Sequence, residues 1–189
     1  MGNTKSSFAI VDHQFLKDEQ KITFRYDKMQ YCFSTKLIGR VQIKNLLMAI
    51  MAAMKSKISL EKIMKIIPKI KPVNGRLEKV GNLHNNGIVI LDYAHTPDAL
   101  RTCIKNVKEQ FKLRKINLVF GCGGERDKPK RKIMGNIANR YCDKIFLTDD
   151  NPRSEDPKKI RRDVRSNIAK SKVIAVSYTH LTLPTNREV

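Results

Sequence analysis

Residues 116–153 read INLVFGCGGERDKPKRKIMGNIANRYCDKIFLTDDNPR, and the order of patterns within them decides the fold. INLVF (116–120) is a short β-rich run, and GCGGERDK (121–128) is a glycine-rich polar loop. From 129 to 142 Ile133, Met134, Ile137 and Tyr141 recur at helical spacing, so a helix with these residues inward is expected. DKIFL (143–147) is a second apolar run, closed by TDDNPR (148–153). Strand, helix and strand in this order imply a parallel sheet with crossover helices.

The same alternation extends both ways. GIVILDY (87–93) reads as the first buried strand of that sheet. Thr96 then caps a helix with Pro97 at its first position and Leu100, Cys103, Ile104, Val107 and Phe111 on one face. Downstream, Asp156-Pro157 opens a helix with Ile160, Val164 and Ile168 inward, and KVIAV (172–176) supplies a fourth strand. Before PKIKPVNGR (68–76), whose prolines and Asn-Gly suit a linker, the pattern differs. FAIVD, KITFRY and QYCFST form a β-meander. A helix follows, carrying Ile43, Leu46, Leu47, Ile50, Met51 and Met54, its methionines expected as core filler. A second helix starts at the N-cap Ser59 and ends before Pro68. The expected boundaries are 1–73 for a first region and 74–176 for an α/β domain. Residues 177–189 (SYTHLTLPTNREV), which lack the lysines found elsewhere, read as non-native tail.

The chain has 189 residues, 41% of them hydrophobic, enough for a real core. Its formal charge of +20 is spread along the chain without interleaved aromatics. That dispersal argues for a solvated lysine-rich surface and against a nucleic-acid platform. Cys32, Cys103, Cys122 and Cys142 lie too far apart for a Cys-x-x-Cys metal site or a disulfide framework, so reduced thiols and a cytoplasmic location are expected. No apolar run is long enough to span a bilayer, and no membrane partner is expected.

In open α/β sheets, ligands bind beyond the carboxyl ends of the strands. Three polar clusters take that position: DYAHTP (92–97), GCGGERDK and TDDNPR. Each alone has a structural reading. Asp92 and His95 could end a strand, the glycines could make a tight turn, and Asn151-Pro152 is a common turn dipeptide. The third glycine of a dinucleotide fingerprint is absent, as is the Gly-Lys-Ser/Thr of a phosphate loop. Together the clusters are expected to place Arg126, Asp149, Asp150, Asn151 and Arg153 on one rim. Guanidinium groups grip a carboxylate through paired hydrogen bonds, and carboxylate and amide oxygens accept from an ammonium. Such a rim suits a zwitterionic amino acid, each charge-assisted contact contributing roughly 1.5–3 kcal/mol.

NGRLEKV (74–80), ILDYAHTPDAL (90–100), VFGCGGERDKPKR (119–131) and TDDNPRSEDP (148–157), in this order and spacing, strongly resemble the Mur ligase family. LIGRVQIKNLLMAI (37–50) resembles the Gly-x-x-Asn-x-x-Asn helix entry that ends the family's central domain, with Gln42 where Asn is usual. The resemblance covers about residues 8–176. It implies a Rossmann-like, mostly parallel C-terminal domain with flanking helices, preceded by the end of a central ATPase domain. The implied activity is ATP-dependent, Mg²⁺-assisted amide ligation through an acyl phosphate. The arginine ending the DNPR motif matches the members that add meso-diaminopimelate to a UDP-linked muramoyl dipeptide in peptidoglycan synthesis. By the resemblance, Arg76, Asp92, Tyr93 and His95 contact ATP, while Arg126, Asp150, Asn151, Pro152 and Arg153 bind meso-diaminopimelate. The family's phosphate loop, carbamylated lysine, magnesium-binding acid and Gly-Lys-Gly-His-Glu segment have no counterpart here. No catalytic or metal residue is therefore assigned, and the chain alone is expected not to ligate. A folylpolyglutamate-synthase-like ligase and a non-catalytic amino-acid-binding module are the alternatives; oligomeric state is left open.

Overall fold

The computed structural model describes residues 8–16 and 19–176. The expected tail at 177–189 lies outside the described residues. Two compact units divide the chain, one taking the residues up to Tyr93 with Glu109–Lys112, the other Ala94–Lys108 and the residues from Leu113 onward.

In the first unit, β1 (Phe8–Phe15), β2 (Gln20–Tyr26) and β3 (Met29–Thr35) form an antiparallel meander. The alternation in β2 explains its burial: Gln20, Ile22 and Phe24 face inward with no exposure, and Lys21 and Arg25 face solvent. Phe24 stacks on Phe8 at 4.8 Å between ring centroids, and Ile22, Phe24 and Phe33 pack against α1 (Arg40–Lys55) and α2 (Leu60–Ile66). Each such aliphatic or aromatic side chain stabilises by roughly 1.5–3 kcal/mol, so this sheet–helix core dominates the unit. Ile43, Leu46, Leu47 and Ile50 form the inward stripe of α1. Met54 is packed against it, but Met51 is 44% exposed and Met48 also faces solvent, so the expectation of methionine filler holds only at the stripe's end. Ser59 precedes α2 in extended conformation and makes no side-chain capping bond. A short 3-10 turn, Ile67–Lys69, takes in Pro68.

GIVILDY departs from expectation. Its strand, β5 (Ile88–Leu91), pairs antiparallel with β4 (Glu78–Asn82) in a separate two-stranded sheet. The reason is local: the Leu83 and Asn86 amides donate to the Gly87 and Leu83 carbonyls, closing a tight turn that brings the adjacent segment alongside first.

The second unit holds a parallel sheet of β6 (Asn117–Phe120), β7 (Lys144–Leu147) and β8 (Val173–Ala175) in that order. Helix α4 (Pro129–Tyr141) joins β6 to β7, and α5 (Pro157–Arg165) joins β7 to β8. These two helices pack with α3 (Pro97–Gln110) on one core that includes Leu100, Met134, Ile145, Leu147, Ile160 and Val164. Capping follows the sequence at two entries. Thr96 Oγ1 accepts the Ala99 amide at 3.3 Å, and Asp156 accepts the Lys158 amide at 2.9 Å. Along α4 the buried stripe is Arg131, Met134, Gly135, Ile137 and Ala138, while Ile133 is 46% exposed. Met134 and Ile137 are buried and Tyr141 packs against the core as expected, whereas Ile133 faces solvent and Arg131 joins the inward face. Gly135 carries the α4–α5 contact: a β-carbon there would lie 2.1 Å from the Val164 carbonyl oxygen.

Candidate functional site

The glycine-rich loop leaves β6 and the TDDNPR turn leaves β7, so strand pairing sets them side by side; the Thr148 amide still donates to the Phe120 carbonyl at 3.1 Å. The three loop glycines are explained by the approach of that neighbouring turn. A β-carbon would lie 2.6 Å from the Thr148 carbonyl oxygen at Gly121, 3.2 Å from Arg153 Nη1 at Gly123, and 1.8 Å from the Pro152 carbonyl oxygen at Gly124. None of the three has positive φ, so close backbone contact, not turn conformation, demands glycine at Gly121 and Gly124, whereas at Gly123 only the flexible end of Arg153 would have to shift.

Two reciprocal bonds join loop and turn. The Gly124 amide donates to the Asn151 carbonyl at 2.9 Å, and Arg153 Nη1 donates to the Gly124 carbonyl at 2.6 Å. Asn151 Oδ1 also accepts the Arg153 amide at 3.3 Å, a side-chain turn that positions the arginine. Arg153 and Glu125 adopt left-handed backbone at φ 51° and 52°. For residues with a β-carbon this costs roughly 1–2 kcal/mol each, so the surrounding bonds must hold them there. Arg126 and Asp150 are exposed and make no hydrogen bond or ion pair among the described residues. Asp149, expected on the same rim, is instead paired with Arg161 of α5.

Beneath the rim lies a group the sequence reading missed. Arg131 is 0% exposed and forks onto Glu155, with Nη1–Oε2 at 3.0 Å and Nη2–Oε1 at 2.9 Å. It also donates to Asp163 at 3.1 Å and to the Gly123 carbonyl at 3.2 Å, leaving only Nε without a partner. Glu155 Oε1 further accepts the Glu125 amide at 2.6 Å. The Arg131 guanidinium, then the Glu125 amide, lower the Glu155 carboxyl from 4.5 to about 2, and Arg131 is raised above its ordinary value by Glu155 first. The signal was present: Arg131 stands one turn before Met134 and Gly135 on the apolar face of α4, where an isolated charge requires a buried partner.

The remaining candidates divide between the units. In the first, the Arg76 guanidinium lies over the Tyr93 ring at 5.0 Å, Tyr93 being 64% exposed. Asp92 Oδ2 accepts the Leu77 amide at 2.9 Å, the Tyr93 amide donates to Gly75, and Gln42 Nε2 donates to the Arg76 carbonyl at 2.9 Å. Arg76, Asp92 and Tyr93 thus come together, with Gln42 added. His95 belongs to the second unit, where its carbonyl accepts from Lys130 Nζ at 3.0 Å. Arg126, Asp150, Asn151 and Arg153 thus share the β6–β7 loops of the second unit, and Arg76, Asp92 and Tyr93 belong to the first. Among the described residues no cluster of His, Cys, Asp and Glu is suited to a metal ion.

Residues 75–182, more than half of the chain, match the family described as "Mur ligase, glutamate ligase domain". The chain belongs to the Mur ligase family. Every candidate residue named above from Arg76 to Arg153 falls inside the Mur ligase match. The chain is 44% identical over 154 residues to the UDP-N-acetylmuramoyl-L-alanyl-D-glutamate–2,6-diaminopimelate ligase of Rickettsia felis, a match covering 80% of this chain and 28% of that protein. It is 42% identical to the same-named ligase of Geobacillus kaustophilus, covering 82% and 30%. A solved structure of a ligase of that name superposes with TM-score 0.65 at 28% identity over 93% of this chain and 36% of the other. The chain spans about a third of the length of the curated Mur ligase relatives it matches.

Proposed function

We propose that this chain contributes the amino-acid-binding rim of an ATP-dependent ligase that joins meso-diaminopimelate to UDP-N-acetylmuramoyl-L-alanyl-D-glutamate. The observation that carries the reading is the placement of Arg153. It is held by Gly124 and Asn151 on the loop pair that also bears Arg126, Asp150 and Pro152. Two guanidinium groups suit a carboxylate, and Asp150 with the Asn151 amide suits an ammonium, so one amino-acid end of a diamino dicarboxylic acid finds both complements. The names of the relatives support the same substrate.

In the reaction proposed, a dipeptide carboxylate oxygen attacks the terminal phosphorus of ATP, ADP leaves, and an acyl phosphate forms. The diaminopimelate amine attacks the acyl carbon, phosphate departs, and the amine releases a proton. Arg126 and Arg153 would orient the amine donor by holding its carboxylate, which lowers the entropy cost of attack. Arg76, Asp92, Tyr93 and His95 would contact the nucleotide, the cation on the Tyr93 ring offering charge beside an aromatic face. Mg²⁺ would offset phosphate charge in the complete enzyme; the residues described here supply no carboxylate cluster for it, and none is assigned to it. The boundary at 73–74 between a central-domain end and a C-terminal domain is part of this proposal; the compact units themselves divide near Tyr93.

Amino-acid competition in the complete gene product tests this reading. Meso-diaminopimelate should outcompete L-lysine and L-glutamate by tenfold or more, as expected for one additional charge-assisted contact. Preference for glutamate would overturn it in favour of a folylpolyglutamate-synthase-like activity.

A further inference from the structure

We propose that Arg131 is the positioning residue of the amino-acid rim, acting through Glu155 to hold the Arg126 loop and the Arg153 turn as one piece. The inference rests on the reading of that rim as the amino-acid site.

Arg131 touches both sides of the rim from below. Its Nη2 takes the Gly123 carbonyl on the glycine-rich loop, and its fork takes Glu155, two residues beyond Arg153. Glu155 returns to the loop by accepting the Glu125 amide, and its own amide donates to the Pro152 carbonyl at 3.0 Å. The circuit therefore runs from loop to helix to turn and back to loop. It encloses the two left-handed residues, Glu125 and Arg153, each adjacent to or part of the rim. A third anchor is Asp163 on α5, which accepts from Nη1, the nitrogen shared with Glu155 Oε2. Ligand-facing side chains on exposed loops lose orientation unless buried groups hold their backbone, and the buried arginine with its planar fork is suited to that task. Lysine would keep the charge but cannot reproduce two parallel bonds to Glu155 together with the bond to Gly123.

The test is a Michaelis-constant comparison in the complete gene product carrying Arg131→Lys or Glu155→Gln, with ATP, the uridine-linked dipeptide and meso-diaminopimelate varied in turn. The constant for meso-diaminopimelate should rise about tenfold or more, while those for ATP and dipeptide stay within about twofold, because misplacement is confined to the rim. A merely structural role would lower melting temperature and active fraction without separating the three constants; that outcome, or an unchanged meso-diaminopimelate constant in a folded variant, overturns the proposal. Should Arg131→Lys fail to fold, Glu155→Gln carries the test, since it is isosteric and keeps an acceptor for the Glu125 amide. If wild type does not use meso-diaminopimelate, the functional reading itself fails. If wild type does, and Arg153→Ala weakens its use while Arg131→Lys and Glu155→Gln do not, only the positioning role fails.

Discussion

A β-carbon at Gly124 would lie 1.8 Å from the carbonyl oxygen of Pro152, so loop and turn meet with no space for a side chain between them. Gly124→Ala must displace one of the two backbones, and neither is a flexible side-chain end. The substitution should lower the melting temperature and weaken meso-diaminopimelate use together, because the displaced Gly124 carbonyl is the Arg153 acceptor. Thermal unfolding and steady-state kinetics check this; a variant indistinguishable from wild type in both would contradict the close approach.

Gly135→Ala sets two effects against each other. Alanine inside a helix is favoured over glycine by about 1 kcal/mol, but here its β-carbon would meet the Val164 carbonyl at 2.1 Å. Forced packing costs typically about 1–3 kcal/mol, so the net change should be destabilising. Urea unfolding measures it, and a stabilised variant would show that α4 and α5 are not so close.

Acid should loosen the rim through Glu155. Its carboxyl is depressed from 4.5 to about 2, first by Arg131 and then by the Glu125 amide. A depressed folded value means the stabilisation is fully present above about 4.5 and is lost as pH falls toward 2. Wild type should therefore lose more stability than Glu155→Gln between pH 6 and pH 3 in urea titrations. Parallel losses would exclude Glu155 as a contributor.

Thiol labelling reads core integrity. Burial first pushes Cys122 and Cys142 up to about 11, whereas Cys32 is exposed. Iodoacetamide at neutral pH should modify Cys32 in the native protein and reach Cys122 and Cys142 only in denaturant. Rapid native labelling of Cys122 would mean that the glycine-rich loop opens.

How legible all this was in the sequence depended on local signal. The strands β6, β7 and β8 stood out as short Val/Ile/Leu/Phe runs, and α3 and α5 as stripes with Thr96 and Asp156 at their starts. β4 did not, because Glu78, Lys79, Gly81 and Asn82 are poor strand formers; its existence follows from the hairpin turn at 83–87. That partner also explains why β5 pairs outside the parallel sheet that its sequence suggests. On α4 the apolar rule favoured Ile133, whereas a buried ion pair turned the face toward Arg131. The DNPR residues were legible as a polar strand end, but Glu155 and Asp163 were not, because a buried circuit closes only in three dimensions.

The most direct test of the amino-acid rim is the meso-diaminopimelate Michaelis constant of Arg153→Ala in the complete gene product. Loss of one charge-assisted contact of roughly 1.5–3 kcal/mol predicts a rise of about ten- to hundredfold, with the ATP constant nearly unchanged. Equal changes in both constants, or none in either, would contradict the role assigned to Arg153.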